Sequence, residues 1–306
     1  MRKFTLLFLA VLIAFGIAFR PIAAHAVEAK VGLNMMYDWW KPAFLAFENE
    51  TAGKLYQNNR DTTITGSFMM GPMFWVKVAP DWNIGGQLLF GLVRNEFEYE
   101  TLAIDFYPSP RVFYDIGTSK IRRYDLDLYA EHPIHKYFNL LIGMRFNYDS
   151  GESDSYIFGY NLIFPFRAGV TKEIESSAWY LGPSAGAAFH YEFIKGLELN
   201  ASVSLLLQGG RYDAEKKYLY ISPIWVMYPN EYKVGYFCIG LDNNVKLSYF
   251  IQPAHLEVWL GLRYIVLPHI SAGDEASKLD LLYEKDWISG EVEHLINLYL
   301  GAAYKF

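Results

Sequence analysis

Acids, bases and a histidine recur in this chain at every second position of otherwise apolar stretches. The set is Asp125, Asp127, Glu131, Arg145, His190, Glu192, Glu198, Lys246, Glu257 and Arg263. On one face of a sheet, carboxylates and guanidinium groups can pair with one another across an enclosed space, or line a polar passage for small solutes. Two H-x-E steps, His190-Tyr191-Glu192 and His255-Leu256-Glu257, add a third chemistry. An imidazole beside a carboxylate can bind a metal or relay a proton. The two steps fall on segments that are not neighbours, and a spacing of two is common by chance. They read as ordinary polar lining near one end of the strands, and neither a metal nor another cofactor is expected.

Strands must position these groups, because alternate residues of a strand point to opposite faces. About ten segments alternate in this way: 30–39, 65–78, 84–92, 123–131, 138–147, 178–192, 197–208, 234–250, 256–264 and 293–306. In the fourth, Tyr124, Leu126, Leu128 and Ala130 oppose Arg123, Asp125, Asp127, Tyr129 and Glu131. In the fifth, Phe138, Leu140, Ile142, Met144 and Phe146 oppose Asn139, Gly143, Arg145 and Asn147. Short turns near Pro80, Pro133, Gly196 and Pro253 alternate with long connections over about 41–62, 95–120, 149–177, 209–232 and 268–290. Short turns on one side and long loops on the other define an up-and-down antiparallel transmembrane β-barrel. Ten strands satisfy that parity with both termini on the short-turn side. Residues 156–170 also alternate. They read as an extended loop with strand character above the membrane, and twelve strands is the alternative if that region spans.

Composition agrees with an all-β membrane chain. Aromatic residues make up 18% of the sequence, and Tyr and Trp favour the membrane interface. Trp39 and Trp40 read as part of such a girdle. After the leader no segment has the ~18–20 consecutive apolar residues of a spanning helix, so the backbone must close its hydrogen bonds as a barrel. Residues 1–26 read as a signal peptide, with Arg2 and Lys3, an apolar run from Phe4 to Phe19, and an A-x-A site at Ala24-His25-Ala26. The mature barrel is then 27–306. Losing Arg2, Lys3 and Arg20 leaves 24 of 27 basic residues against 33 acidic ones, a net charge near -9. That excludes a basic nucleic-acid surface. Cys238 is the only cysteine, so no internal disulfide forms; it reads as a buried or lipid-edge small hydrophobe.

The last eight residues carry a resemblance. Tyr299, Gly301, Tyr304 and Phe306 fill a pattern of a polar residue, a glycine, a hydrophobe and a terminal aromatic that resembles the assembly signal of bacterial outer-membrane β-barrel proteins. The resemblance implies secretion through the inner membrane of a Gram-negative cell, insertion by the barrel assembly machinery, and outer-membrane lipids as the surrounding solvent. Ten strands with these turn positions are also similar to the omptin proteases, which use paired aspartates and an Asp-His couple at the extracellular rim. The matching strand ends here read Val93-Arg94-Asn95-Glu96-Phe97-Glu98 and Gln208-Gly209-Gly210-Arg211-Tyr212-Asp213. Neither supplies those groups, and His269 lies elsewhere.

The functional expectation is a cell-surface barrel that is not an enzyme and forms a narrow, porin-like pore for small solutes. One alternative is a structural or binding barrel that takes a surface ligand through Tyr107, Tyr114, Tyr212, Tyr218, Tyr220, Trp225 and Tyr228 of its long connections. An omptin-like protease is the other.

Overall fold

The computed structural model describes residues 28–43, 56–60, 65–105, 111–161, 167–220, 230–276 and 292–306. The signal-peptide segment 1–26 and the loop residues Tyr107, Trp225 and Tyr228 lie outside them. The elements are β1 (Ala29–Lys41), β2 (Tyr56–Arg60), β3 (Thr65–Ala79), β4 (Trp82–Gly91), β5 (Asn95–Asp105), β6 (Arg111–His135), β7 (Phe138–Asn161), β8 (Arg167–Ile194), β9 (Leu197–Tyr220), β10 (Asn230–Ile251), β11 (Leu256–Ala276) and β12 (Val292–Lys305). All pairings are antiparallel. β4 and β5 lie end to end along β6, and β2 is a short flap on β5. The remaining strands pair with their sequence neighbours, and β1 pairs with β12 from Lys30↔Lys305 to Lys41↔His294. The sheet therefore closes, as it must where lipid offers the backbone no hydrogen-bond partner. Counting β4 and β5 as one, ten strands form the wall among the described residues.

Alternation assigns the two faces. Val31, Leu33, Leu260, Leu262, Ile296, Leu298 and Leu300 stand exposed on the outside, where only lipid makes such a surface favourable. Outward rings mark the band's edges. Phe90, Tyr124, Tyr148 and Trp179 follow one register line along the upper edge. Below, Phe138 meets Phe189 at 5.4 Å between ring centroids and Tyr304 meets Phe306 at 5.0 Å. Above the upper girdle the outward positions turn charged. Arg94 donates to Glu152 at 2.5 Å and Lys217 to Glu175 at 3.2 Å. The Arg94 guanidinium holds the Glu152 carboxyl below its ordinary range.

Two glycines on the last strands make room for aromatic rings. A Cβ on Gly301 would fall 2.4 Å from the Trp259 ring, and one on Gly261 would fall 2.4 Å from the Tyr299 ring. Trp259 is the register partner of Gly301, and Gly261 of Tyr299. Each ring thus lies over the bare backbone beside it, pinning the register of β11 against β12. Within the terminal motif, Tyr299 and Gly301 face the lumen while Tyr304 and Phe306 are exposed on the outside.

The long connections differ from expectation. Spacing alone makes loops of residues 95–120, 149–177, 209–232 and 268–290, but much of each is strand: β5 and the upper halves of β6, β7, β8, β9, β10 and β11. Alternation continues there with another chemistry. Asp115, Gly117, Ser119 and Ile121 face in, and charged or mixed residues face out. The apolar outer face ends at the girdle; the strands do not. The described residues on either side of 162–166 belong to this extension, continuing β7 and β8 and pairing as far as Tyr160↔Arg167. They add no crossing, so the alternative of twelve strands falls to ten. Trp40 also corrects the girdle assignment. Trp39 is outside, whereas Trp40 points inward and is fully buried.

A charge at the middle of the lipid band is expected to weaken the barrel. Leu260→Arg should cost about 2–4 kcal/mol in reversible urea unfolding from lipid vesicles. Thr118→Arg, outward but above the girdle, should change it by less than about 0.5 kcal/mol.

Candidate functional site

Charged side chains from opposite walls meet midway up the lumen. Asp127 and Arg145 are register partners on β6 and β7. The Arg145 guanidinium lies 3.2 Å from Asp125, 3.4 Å from Asp127 and 3.6 Å from Asp242 on β10. From β11, Arg263 donates to Asp127 at 2.7 Å and to Asp242 at 2.5 Å. Amides complete the layer. Gln87 donates to Asp127 at 2.8 Å, Asn147 to Asp125 at 2.5 Å, and Gln208 to Asn147 at 3.4 Å. Six strands contribute, and the register sets the height of each side chain.

A second layer lies directly above. Arg123 donates to Asp125 at 2.7 Å and to Glu293 at 3.3 Å, with its guanidinium 4.8 Å over the Trp40 ring. Glu293 also accepts from the Trp40 indole N–H at 3.0 Å and the Tyr180 hydroxyl at 3.2 Å. His269 stands 4.0 Å from the same carboxylate. Tyr212, Tyr236, Cys238 and Leu267 pack around this layer. Higher still, Lys172 pairs with Asp115 at 2.7 Å. Arg123 and Arg145 are 3% and 2% exposed, and Asn147 and Glu293 are 0% exposed. At this height the lumen is filled by protein. Charges so enclosed lose hydration and are tolerated only when ion pairs and hydrogen bonds replace it.

Below the layers the packing loosens. A cavity of about 220 Å³ opens in the short-turn half, lined among others by Asn34, Gln87, Glu131, Asn244, Lys246 and Trp259. Near the rim, Lys30 meets Glu257 at 2.6 Å.

Asp125, Asp127, Arg145 and Arg263 form the lower layer. Glu131 and Lys246 line the cavity, and Glu257 is buried against Lys30. Glu198 lies on the same wall, opposite Ser248. His190 is half-buried on β8, opposite Asn200. Glu192 is at the short turn between β8 and β9, where its carboxylate accepts from the Gly196 backbone N–H at 2.8 Å. His255 sits in a left-handed turn position (φ 51°) with its ring against Tyr304. The two H-x-E steps are therefore not brought together. Among the described residues, no cluster of three or more His, Cys, Asp or Glu has metal-binding geometry.

Alternation along the terminal strand puts Glu293 on the inward face, and the structure buries it there. Asp242 escaped the sequence reading, although it obeys the alternation already assigned to its strand. Trp40 follows Asn34, Met36 and Asp38 on the inward face, so its place was legible too. Two aromatic surface candidates are relocated. Tyr212 is buried in the lumen, and Tyr114 lies on β6 with its hydroxyl bonded to Glu100. His269 lies on β11 and is buried.

No protein-family model and no curated protein matches the chain. Among solved structures, the outer membrane protease OmpT from Escherichia coli is similar over 92% of this chain and 96% of that chain, with a TM-score of 0.51 and 10% sequence identity. The translocator domain of the autotransporter NalP from Neisseria meningitidis is a more distant likeness, with a TM-score of 0.32 and 10% identity over 98% of this chain and 97% of that chain. So is the outer membrane protein OprG from Pseudomonas aeruginosa, with a TM-score of 0.29 and 10% identity over 92% and 95%. The chain has the fold of outer-membrane β-barrel proteins.

Removing one member of the ion-pair layer should be far costlier than a surface change. Arg145→Met takes the shared guanidinium from Asp125, Asp127 and Asp242, the first two of them buried, and is expected to cost about 3–5 kcal/mol in urea unfolding.

Proposed function

We propose that this chain is an integral outer-membrane protein whose barrel is closed and whose extracellular extension forms its working surface at the cell exterior. The observation that carries this reading is the ion-pair layer itself. Arg145 and Arg263 tie β6, β10 and β11 across the lumen, and the side chains at and above that level leave almost no exposed surface. The tall wall supports the second half. β6 to β9 continue about a dozen residues past the girdle, roughly 40 Å along the strand. Ile116 and Phe158 are exposed on its outer face, and the Tyr156 and Phe158 rings meet edge-on at 4.3 Å. An apolar cluster above a charged belt, out of reach of the lipid band, suits contact with another macromolecule. In this reading lipids surround the apolar band, the barrel assembly machinery reads the terminal strand, and the chain is not an enzyme.

The narrow-pore reading draws support from the polar cavity in the periplasmic half, but a solute would have to break through both layers of paired charge above it. The protease reading has the fold likeness behind it and little else. The buried His269 and Glu293 are out of a peptide's reach, and fold does not carry function without a site.

Planar-bilayer recording separates the first two. The wild-type barrel, verified as folded by its heat-modifiable mobility in gels, is expected to insert without conductance steps. Steady ion conductance by the wild type would overturn the closed-barrel reading and favour the pore.

A further inference from the structure

We propose that the cavity in the periplasmic half of the lumen is a binding site for a small monocarboxylate, anchored by Lys246. Its volume of about 220 Å³ lies below the ~300–1,000 Å³ of sites for drug-sized ligands, so the solute is small. Strand register builds one wall. Asn200 stands opposite Lys246 and Ser202 opposite Asn244, on β9 and β10. On the other flank Lys246 faces Gly261 of β11, whose bare backbone lies under the Tyr299 ring.

The polarity of this wall is fixed by bonds already made. The Asn244 side-chain oxygen accepts from the Tyr299 hydroxyl at 2.6 Å, which leaves its NH₂ end to face the cavity. Asn34 and Gln87, by contrast, are committed at both ends. Asn34 accepts from the Trp259 indole and donates to Gln87, and Gln87 donates to Asp127. The Lys246 ammonium rests 5.6 Å over the Trp259 ring. Unlike Lys30, it has no carboxylate within ion-pair distance among the described residues. An ammonium, an amide NH₂ and a serine hydroxyl on one wall are the donors that a carboxylate accepts from. Glu131, Glu198 and Glu257 act on the same ammonium from around it. Those carboxylates oppose further negative charge, so the solute is held by the donor geometry and not by net charge, and a dianion is disfavoured. Met36, Leu141 and Trp259 supply apolar lining for the solute's body. The ion-pair layer closes the cavity above, so the solute comes from the periplasmic end.

Benzoate is the test probe, with benzamide as its neutral isostere and inorganic phosphate as the multiply charged competitor. In calorimetric titration of the folded full-length barrel in detergent, benzoate is expected to saturate one site. Benzamide and phosphate should bind at least about tenfold more weakly. Lys246→Met should lose at least about tenfold in benzoate affinity with heat-modifiable mobility unchanged, and Lys246→Arg should keep most of it. Benzoate bound equally by Lys246→Met, or no saturable benzoate binding up to about 10 mM, overturns the proposal. Should Lys246→Met fail to fold, equal affinity of the wild type for benzoate and benzamide overturns it instead. Entry from the periplasmic end rests on the closed-barrel reading, but the donor set does not, and that reading is decided by conductance and not by titration.

Discussion

Two guanidinium groups tie opposite walls of this barrel together across its lumen. Arg145 and Arg263 approach from strands on different sides of the lumen and share Asp127 and Asp242 between them. No adjacent-strand hydrogen bond can do this, because ladder bonds run around the wall and never across it. The barrel wall alone fixes a cylinder; the ion pairs fix what lies inside it. Their worth is conditional. Each charge has given up its hydration, so any member left without its partners would be costly, and the layer behaves as one unit.

The rest of the lumen follows from that layer. Above it, Trp40, Tyr180, Tyr212 and Tyr236 pack in the bore around Glu293. Below it, the inward residues of β9 are small or short, Asn200, Ser202 and Ser204, and the bore opens into a cavity. The outside divides at the same heights for a different reason. Lipid selects leucine, isoleucine and aromatic rings up to the Tyr124–Tyr148 line, and water selects Arg94, Lys120 and Glu152 above it. One continuous strand thus serves two solvents in sequence.

That division explains which regions of the fold were legible. Where one face is apolar and the other polar, as in Tyr124 to Glu131, strand and facing were both readable from spacing. Parity of turns then gave ten crossings without any single strand being decisive. Above the girdle the outer face is charged, and the apolar signal that marks a strand disappears while the backbone continues in it. Asp149 to Ile157 and Lys172 to Ala178 keep a period of two, with serine, glycine and charge in place of leucine. The cross-lumen partners were not legible, because Arg263 and Asp127 are 136 positions apart and spacing reports only which face a residue is on. The H-x-E steps failed for the opposite reason. His255 lies in a turn outside the alternation that the spacing assumed.

Cys238 offers a direct probe of the closed lumen, since it is the chain's only cysteine and is buried against the layer around Glu293. The measurement is labelling of the folded wild-type barrel by a small, charged, membrane-impermeant methanethiosulfonate reagent, followed by mass. The account expects no labelling of the folded protein and complete labelling once it is unfolded in urea. Ready labelling of Cys238 in the folded barrel would mean that a solute of that size reaches the upper lumen, and would contradict it.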